Sequence, residues 1–428
     1  MDVAAAGAAA RPVAGRFPSL LTCGALVFAG STVLNLGGFA FHAVAGRWLG
    51  PHEYGMLYAA MSLATIAALP SALAAPAVSR LAAEYYARDV RRTNRLARDL
   101  SRLVAIAAAL YVAAFALLGP LLAAKLHLPV MVVWLCGPIA AVVVASAAFR
   151  ALAQGAHRFG IYALSASGEG IAKVAAIVAF ATAGMGLVGG VLGFLVGAAC
   201  GALVALVPVT LAMRGPVSSE GYDRAAMLAS GGGAAAMVIV FSLMGYADVV
   251  LVTHYFNAQQ TGIYAAAALV GKIVLYLVGF VPVVLLPAAT VRYSRGEASA
   301  GALRGALGVF AVLTAVSLGV IAMAATPLLH LLLGGAFDGA SGLLTWYAVA
   351  MALLALTNLV ASYGIATRRV AFALPTVAGA CLTLGAIGIF HASLLEVVRV
   401  MVVGNAAIAL AAVAAVALQS LREGKASA

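Results

Sequence analysis

Charge is what this sequence has least of. Of its 428 residues only 9% are Asp, Glu, Lys or Arg, against about 25% in an ordinary soluble domain. Thirteen residues are acidic, 25 are basic and 65% are hydrophobic. A soluble chain so poor in charge could not cover its own surface, which excludes a soluble enzyme and a nucleic-acid-binding domain. Cysteine is scarce too. Cys23, Cys136, Cys200 and Cys381 lie inside apolar runs and form no CxxC pair, so neither a disulfide framework nor a thiolate metal site is implied. There is no DxD, no GxGxxG after a strand and no His/Cys/Asp cluster with metal spacing. No polar gap is long enough for a catalytic domain outside a bilayer. An enzyme, a metal centre and an organic cofactor are therefore not expected.

What fills the chain is apolar length. A helix needs about 20 mostly apolar residues to cross a hydrocarbon layer about 30 Å thick, and such runs recur from Phe17 to Leu421. They predict an all-α, polytopic membrane protein with twelve spans: 17–47, 54–79, 101–124, 129–153, 159–183, 187–213, 226–255, 260–291, 303–329, 341–366, 370–391 and 394–420. The stretch before the first span carries no basic cluster and the run is too long for a signal peptide. Residues 1–16 are expected to be a disordered tail and 422–428 a cytoplasmic one. Most of the 25 basic residues fall in gaps on one side of the bilayer, Arg80 to Arg102 above all. The positive-inside rule then puts both termini in the cytoplasm and makes "RDVRRTNRLARDLSR" a topology anchor on anionic headgroups, with nucleic acid not a partner.

The two halves echo each other. Gly55 in "RWLGPHEYG" matches Gly262 in "HYFNAQQTGIY", 207 residues on. "LAAPAVSR" matches "VLLPAATVR", placing Pro76 on Pro287, and "AHRFGIYAL" matches "TRRVAFALP", both 211 residues on. Two six-helix lobes, 17–214 and 215–421, with parallel topology are expected, and a substrate path between them.

Charge at a helix centre costs about 2.5–3.5 kcal/mol on insertion scales, so such residues face a cavity or a partner. In the fifth span, Tyr162, Ser165, Glu169 and Lys173 recur at steps of three and four and predict one polar stripe. Glu169 and Lys173 can neutralise each other at i,i+4, either as a bridge or as a cavity wall meeting an anion. Lys272 lies about 18–20 Å along the eighth span, with Tyr276 one turn on. No acid lies within a turn of it, leaving Asp248, a carbonyl or the substrate as its partner. Asn35 is candidate lining, and His42 reads as a packing residue. Arg47, Glu396 and Arg399 cluster at the outer ends, the last two as an interfacial pair at i,i+3.

"ARWLGPHEYGMLYAA", "LPSALAAPAVSRLAAEYY" and "GYADVVLVTHYFNAQQTGIYAAAALVGK" resemble signatures of the polysaccharide flippases of the multidrug/oligosaccharidyl-lipid/polysaccharide exporter superfamily. The second-half turn departs from the pattern, since "FNAQQTG" lacks the LGP of the first. The resemblance implies a carrier that moves undecaprenyl-pyrophosphate-linked oligosaccharide across a bacterial inner membrane by alternating access. It also implies a possible coupling ion (proton or sodium), membrane lipids as surroundings, and glycosyltransferases and a glycan polymerase as neighbours. The alternatives are a cation-coupled multidrug antiporter of the same superfamily and, in another class, a membrane-embedded glycan-assembly enzyme or scaffold.

Overall fold

The computed structural model describes residues 20–219, 232–295 and 300–426. The expected N-terminal tail, much of the central linker and Gly231 lie outside them. Among the described residues there is no strand. The helices run α1 (Leu20–Ala67), α2 (Leu69–Arg88), α3 (Val90–Leu126), α4 (Val130–Gly155), α5 (Phe159–Thr182), α6 (Gly186–Arg214), α7 (Gly232–Ser242), α8 (Asp248–Tyr255), α9 (Ala258–Val278), α10 (Phe280–Ser294), α11 (Ala300–Leu333), α12 (Ser341–Ala366), α13 (Ala373–Ile389) and α14 (Leu394–Ala426). A π turn, Leu243–Ala247, joins α7 to α8, and a 3-10 turn, Gly335–Ala340, precedes α12. Ten helical stretches among the described residues are long and apolar enough to cross a membrane, and α13 is apolar but shorter. The chain is a multi-pass membrane protein.

α1 is not one rod. Gly50 takes a left-handed φ of 67°, which a residue with a Cβ adopts only at a cost, and Pro51 starts the next turn with the φ a first helical turn needs. The consequence shows in the rings. His42 and Tyr58 are sixteen residues apart, about 24 Å along a straight helix, yet their centroids are 5.1 Å apart. The two arms run back along each other from Gly50.

Proline sets the other breaks. Pro282 removes the donor for the carbonyl four residues back and crowds it, and α9 gives way to α10 there, at Gly279. The break between α1 and α2 at Ala68, just before Pro70, lies 211 residues earlier. α4 and α12 also start and end 211 residues apart. Each is followed by a non-glycine residue in left-handed conformation, His157 (φ 55°) and Arg368 (φ 57°).

One apolar cluster runs through both halves, from Phe41, Tyr54 and Leu57 of α1 to Tyr264, Val270 and Tyr347 of α9 and α12. Smaller clusters hold α2, α3, α4 and α6 together, and α9, α10, α12 and α14. The outward faces are apolar as well: Leu103, Leu110 and Leu117, at steps of seven on α3, are exposed, a surface that lipid solvates. Lipid supplies little hydrophobic drive for helix association, so close packing must do it. At the end of the bundle that carries the Gly50 turn, the halves touch backbone to backbone. A Cβ on Gly55 would stand 2.5 Å from Ala258 O, and one on Gly262 would stand 1.8 Å from Pro51 O.

Candidate functional site

A cavity of about 230 Å³ lies between the halves, lined from α1 by Asn35, His42, Tyr58, Ser62 and Thr65, from α5 by Glu169 and Lys173, from the π turn by Tyr246 and from α9 by Lys272 and Tyr276. Glu169, Lys173 and Lys272 thus share one cavity, with the lysines contributed by opposite halves. Phe39 and Phe194 complete its aromatic wall. The oxygen of Ser62 is buried without a hydrogen-bond partner.

On the first-half wall the charges are paired. Lys173 Nζ lies 2.6 Å from Glu169 Oε1 and Arg150 lies 2.5 Å from Glu169 Oε2. Arg150 also donates to the hydroxyl and carbonyl of Ser165, and Ser165 donates to Gly201 O at 2.7 Å. Gly197 and Gly201, one turn apart on α6, make the slot for this cluster: a Cβ at Gly197 would meet Lys173 Cγ at 2.1 Å, and one at Gly201 would meet the Arg150 guanidinium at 2.5 Å. Lys173 Nζ sits 4.0 Å from the centroid of the Phe194 ring.

On the second-half wall, Lys272 is 4% exposed. It donates to the Tyr58 hydroxyl at 3.0 Å and lies 4.7 Å from the centroid of the Tyr246 ring, a cation–π arrangement. Among the described residues no carboxylate comes within 4.0 Å of its ammonium. Asp248 is not that partner. It is fully buried off the cavity, and its Oδ2 accepts from Tyr264 at 2.9 Å and Tyr347 at 2.8 Å. Its Oδ1 is buried without a partner. The π turn immediately before Asp248 presents Tyr246 to the cavity; π turns are frequent at functional sites.

Several expectations need correction. The stripe on α5 divides: Glu169 and Lys173 line the cavity, whereas Ser165 is buried in the ion cluster and Tyr162 reaches Ser31 on α1 at 3.4 Å. Glu396 and Arg399 do not pair. Glu396 accepts from Ala392 N at 2.7 Å and caps the start of α14, while Arg399 lies 6.0 Å from the Trp346 ring. A free N-terminal N–H is the stronger claim on a nearby carboxylate. Arg47 leaves the turn to donate to Leu331 O on α11. His42 is a wall residue, 3.4 Å from the Tyr54 hydroxyl. Arg150 falls inside the fourth predicted span, 129–153, and that position is the sequence signal for its place in the ion cluster.

A bundle of long apolar helices around a charged, aromatic cavity between two halves is the build of a membrane transporter. The chain belongs to the polysaccharide biosynthesis protein family, whose sequence profile matches residues 21–290. No curated protein sequence matches it. Its fold is similar to a MATE transporter crystallised in complex with MaD5, at 16% identity over 93% of this chain and 94% of that one with a TM-score of 0.61. It is similar to the eukaryotic MATE transporter AtDTX14 at 15% identity, 91% and 92% coverage and a TM-score of 0.60. It also resembles an outward-facing multidrug resistance MATE transporter of the MOP superfamily at 14% identity, 93% and 95% coverage and a TM-score of 0.58. The fold is the one seen in MATE transporters.

Proposed function

We propose that this protein is a flippase for a lipid-linked oligosaccharide carrying a pyrophosphate, working in a bacterial inner membrane during cell-surface polysaccharide synthesis. The observation that carries the reading is Lys272: an ammonium buried at the cavity wall, held by a phenol and aromatic faces, with no carboxylate of the described residues within 4.0 Å. A point charge with no carboxylate in direct contact suits a pyrophosphate. The aromatic wall suits sugar rings, and Ser62 and Asn35 supply polar contacts. At about 230 Å³ the cavity is smaller than the roughly 300–1,000 Å³ of ordinary ligand pockets. It takes the charged end of the cargo while the lipid tail stays in the bilayer.

The rival reading, an antiporter of cationic drugs, asks for free acid on the wall. Glu169 is the acid there, and two cations already hold it.

Twelve crossings, with both termini cytoplasmic, are part of the proposal. The fold-back of α1 at Gly50 and the short α13 supply the two crossings beyond the ten long stretches. A parallel repeat of two lobes is supported by the matching breaks at Ala68 and Gly279 and the matching left-handed residues His157 and Arg368. It is supported too by the reciprocal contact in which Gly55 meets Ala258 and Gly262 meets Pro51, since residues exchanged by a two-fold axis contact each other in just this crossed way. For a coupling ion, proton or sodium, Asp248 Oδ1 offers an acceptor that is buried without a partner.

The test is complementation of a flippase-deficient bacterium, with surface polysaccharide normalised to membrane-inserted protein. The wild-type chain should restore it and Lys272→Ala should not. Full export by Lys272→Ala would reject the anion site, and resistance to cationic drugs without polysaccharide export would favour the antiporter.

A further inference from the structure

At the end of the bundle that carries the Gly50 turn, where the halves touch backbone to backbone, two side chains cross from opposite halves. Arg47, in the first half, donates to Leu331 O in the last turn of α11. His254, in the second, has its Nδ1 2.6 Å from Lys125 O in the last turn of α3. A carbonyl only accepts, so His254 Nδ1 carries the hydrogen. Both acceptors are among the last four carbonyls that a helix leaves without an internal partner, at the end where its dipole is negative. Each half therefore sends one nitrogen donor into the C-terminal carbonyls of a helix belonging to the other.

The two contacts are also one contact seen twice. His254 follows Arg47 by the same 207 residues that separate Gly262 from Gly55, and α3 and α11 end 207 residues apart, at Leu126 and Leu333. The acceptor carbonyls are out of step by a single position. The crossed contact of Gly55 with Ala258 and of Gly262 with Pro51 obeys the same interval. Reciprocity of this kind marks a pseudo-symmetric interface.

We infer that Arg47 and His254 are a matched pair of latches holding this end of the cavity shut, with His254 the second-half gate residue equivalent to Arg47. Because the contacts are separate and equivalent, each contributes its own share to closure, and opening this end breaks both. The two differ in one respect: Arg47 presents a guanidinium and His254 an imidazole. If the sites are equivalent, an arginine at position 254 reaches the same carbonyls and replaces the histidine in function. That this end is the exit of a cargo path rests on the transport reading; that it is latched does not.

The test needs no cargo. In a background with the four native cysteines replaced by alanine, Met61→Cys places a thiol on the cavity wall. The protein is reconstituted in vesicles, and a membrane-impermeant maleimide is added from the side that carries His52. Arg47→Ala and His254→Ala should each raise the labelling rate, by roughly two- to fivefold for a charge or donor lost from a helix C-terminus. The double variant should multiply the two factors, and Arg47→Lys and His254→Arg should label close to the parent. A double variant labelling at the parent rate would overturn the inference, as would His254→Arg labelling as fast as His254→Ala. Labelling that responds as expected in a protein that exports no polysaccharide would uphold the latches and reject the transport reading.

Discussion

Both halves carry a buried acid and a buried lysine near the cavity, and they use them in opposite ways. In the first half the acid takes the cations. Glu169 is held by Lys173 and Arg150 together, so the charge that faces the cavity on this wall is largely answered within the protein. In the second half the acid takes phenols. Asp248 is held by Tyr264 and Tyr347, which leaves Lys272 with a hydroxyl and aromatic faces for company. One wall thus carries a closed charge cluster, while on the other, among the described residues, Lys272 has no carboxylate in contact. What separates them is the residue that reaches the acid first: an arginine from α4 in one half, a tyrosine from α12 in the other.

The largest expected effect breaks the second-half arrangement. Lys272→Ala should lower export roughly a hundredfold, within the range for removing one member of a buried charge contact. Lys272→Arg should keep part of the activity, because the charge survives while its shape and reach change. Surface polysaccharide per inserted protein is the measurement. If Lys173→Ala is the more damaging of the two lysine changes, the halves have been assigned the wrong way round.

Next comes the closed cluster. Arg150→Ala leaves Glu169 to Lys173 alone and deletes three hydrogen bonds, one to Glu169 and two to Ser165, of which the bond to the carboxylate alone is worth about 1.5–3 kcal/mol. It should lower the thermal midpoint of the purified protein sharply. Arg150→Ala/Glu169→Gln should fall further, because it leaves the buried Lys173 ammonium without its carboxylate. A double variant more stable than the single would show that Lys173 does not depend on the charge of Glu169.

The phenols should matter less. Tyr264→Phe and Tyr347→Phe each remove one of two hydrogen bonds to Asp248 Oδ2, about 1.5–3 kcal/mol for a bond to a charged group and toward the lower value while the other phenol stays. Asp248→Asn keeps an acceptor for both hydroxyls and should fold with a small loss. A midpoint shift for Tyr347→Phe as large as that for Arg150→Ala would erase the contrast between the halves.

The fold was readable from the sequence to the extent that apolar length and helical periodicity carry it. An all-helical multi-pass chain follows from runs of about 20 apolar residues. The break at Gly279 follows from the rule that proline disturbs the turn before it. Glu169, Lys173, Lys272, Tyr276 and Asn35 could be named from the sequence as polar residues inside apolar spans, and all five line the cavity. Rotation and partners were harder to see. Whether Ser165 faces water or Arg150 is settled by the neighbouring helix, where Gly197 and Gly201 open a slot that only packing reveals. The phenols on Asp248 come from 16 and 99 residues away, and no periodicity links them. The π turn shifts the register just ahead of Asp248, so its helical face could not be counted forward from α7. Arg47 and His254 were missed as a pair because their acceptors are carbonyls, which sequence does not distinguish from one residue to the next.

The most direct test of the central claim is binding of the charged end of the cargo itself. Wild type, Lys272→Met and Lys173→Met, each purified in lipid nanodiscs and shown to be folded, are titrated with a polyprenyl pyrophosphate and with the uncharged polyprenol. The account predicts that wild type prefers the pyrophosphate, that Lys272→Met loses this preference while still taking up the polyprenol, and that Lys173→Met retains most of it. Equal pyrophosphate affinity in wild type and Lys272→Met would contradict it.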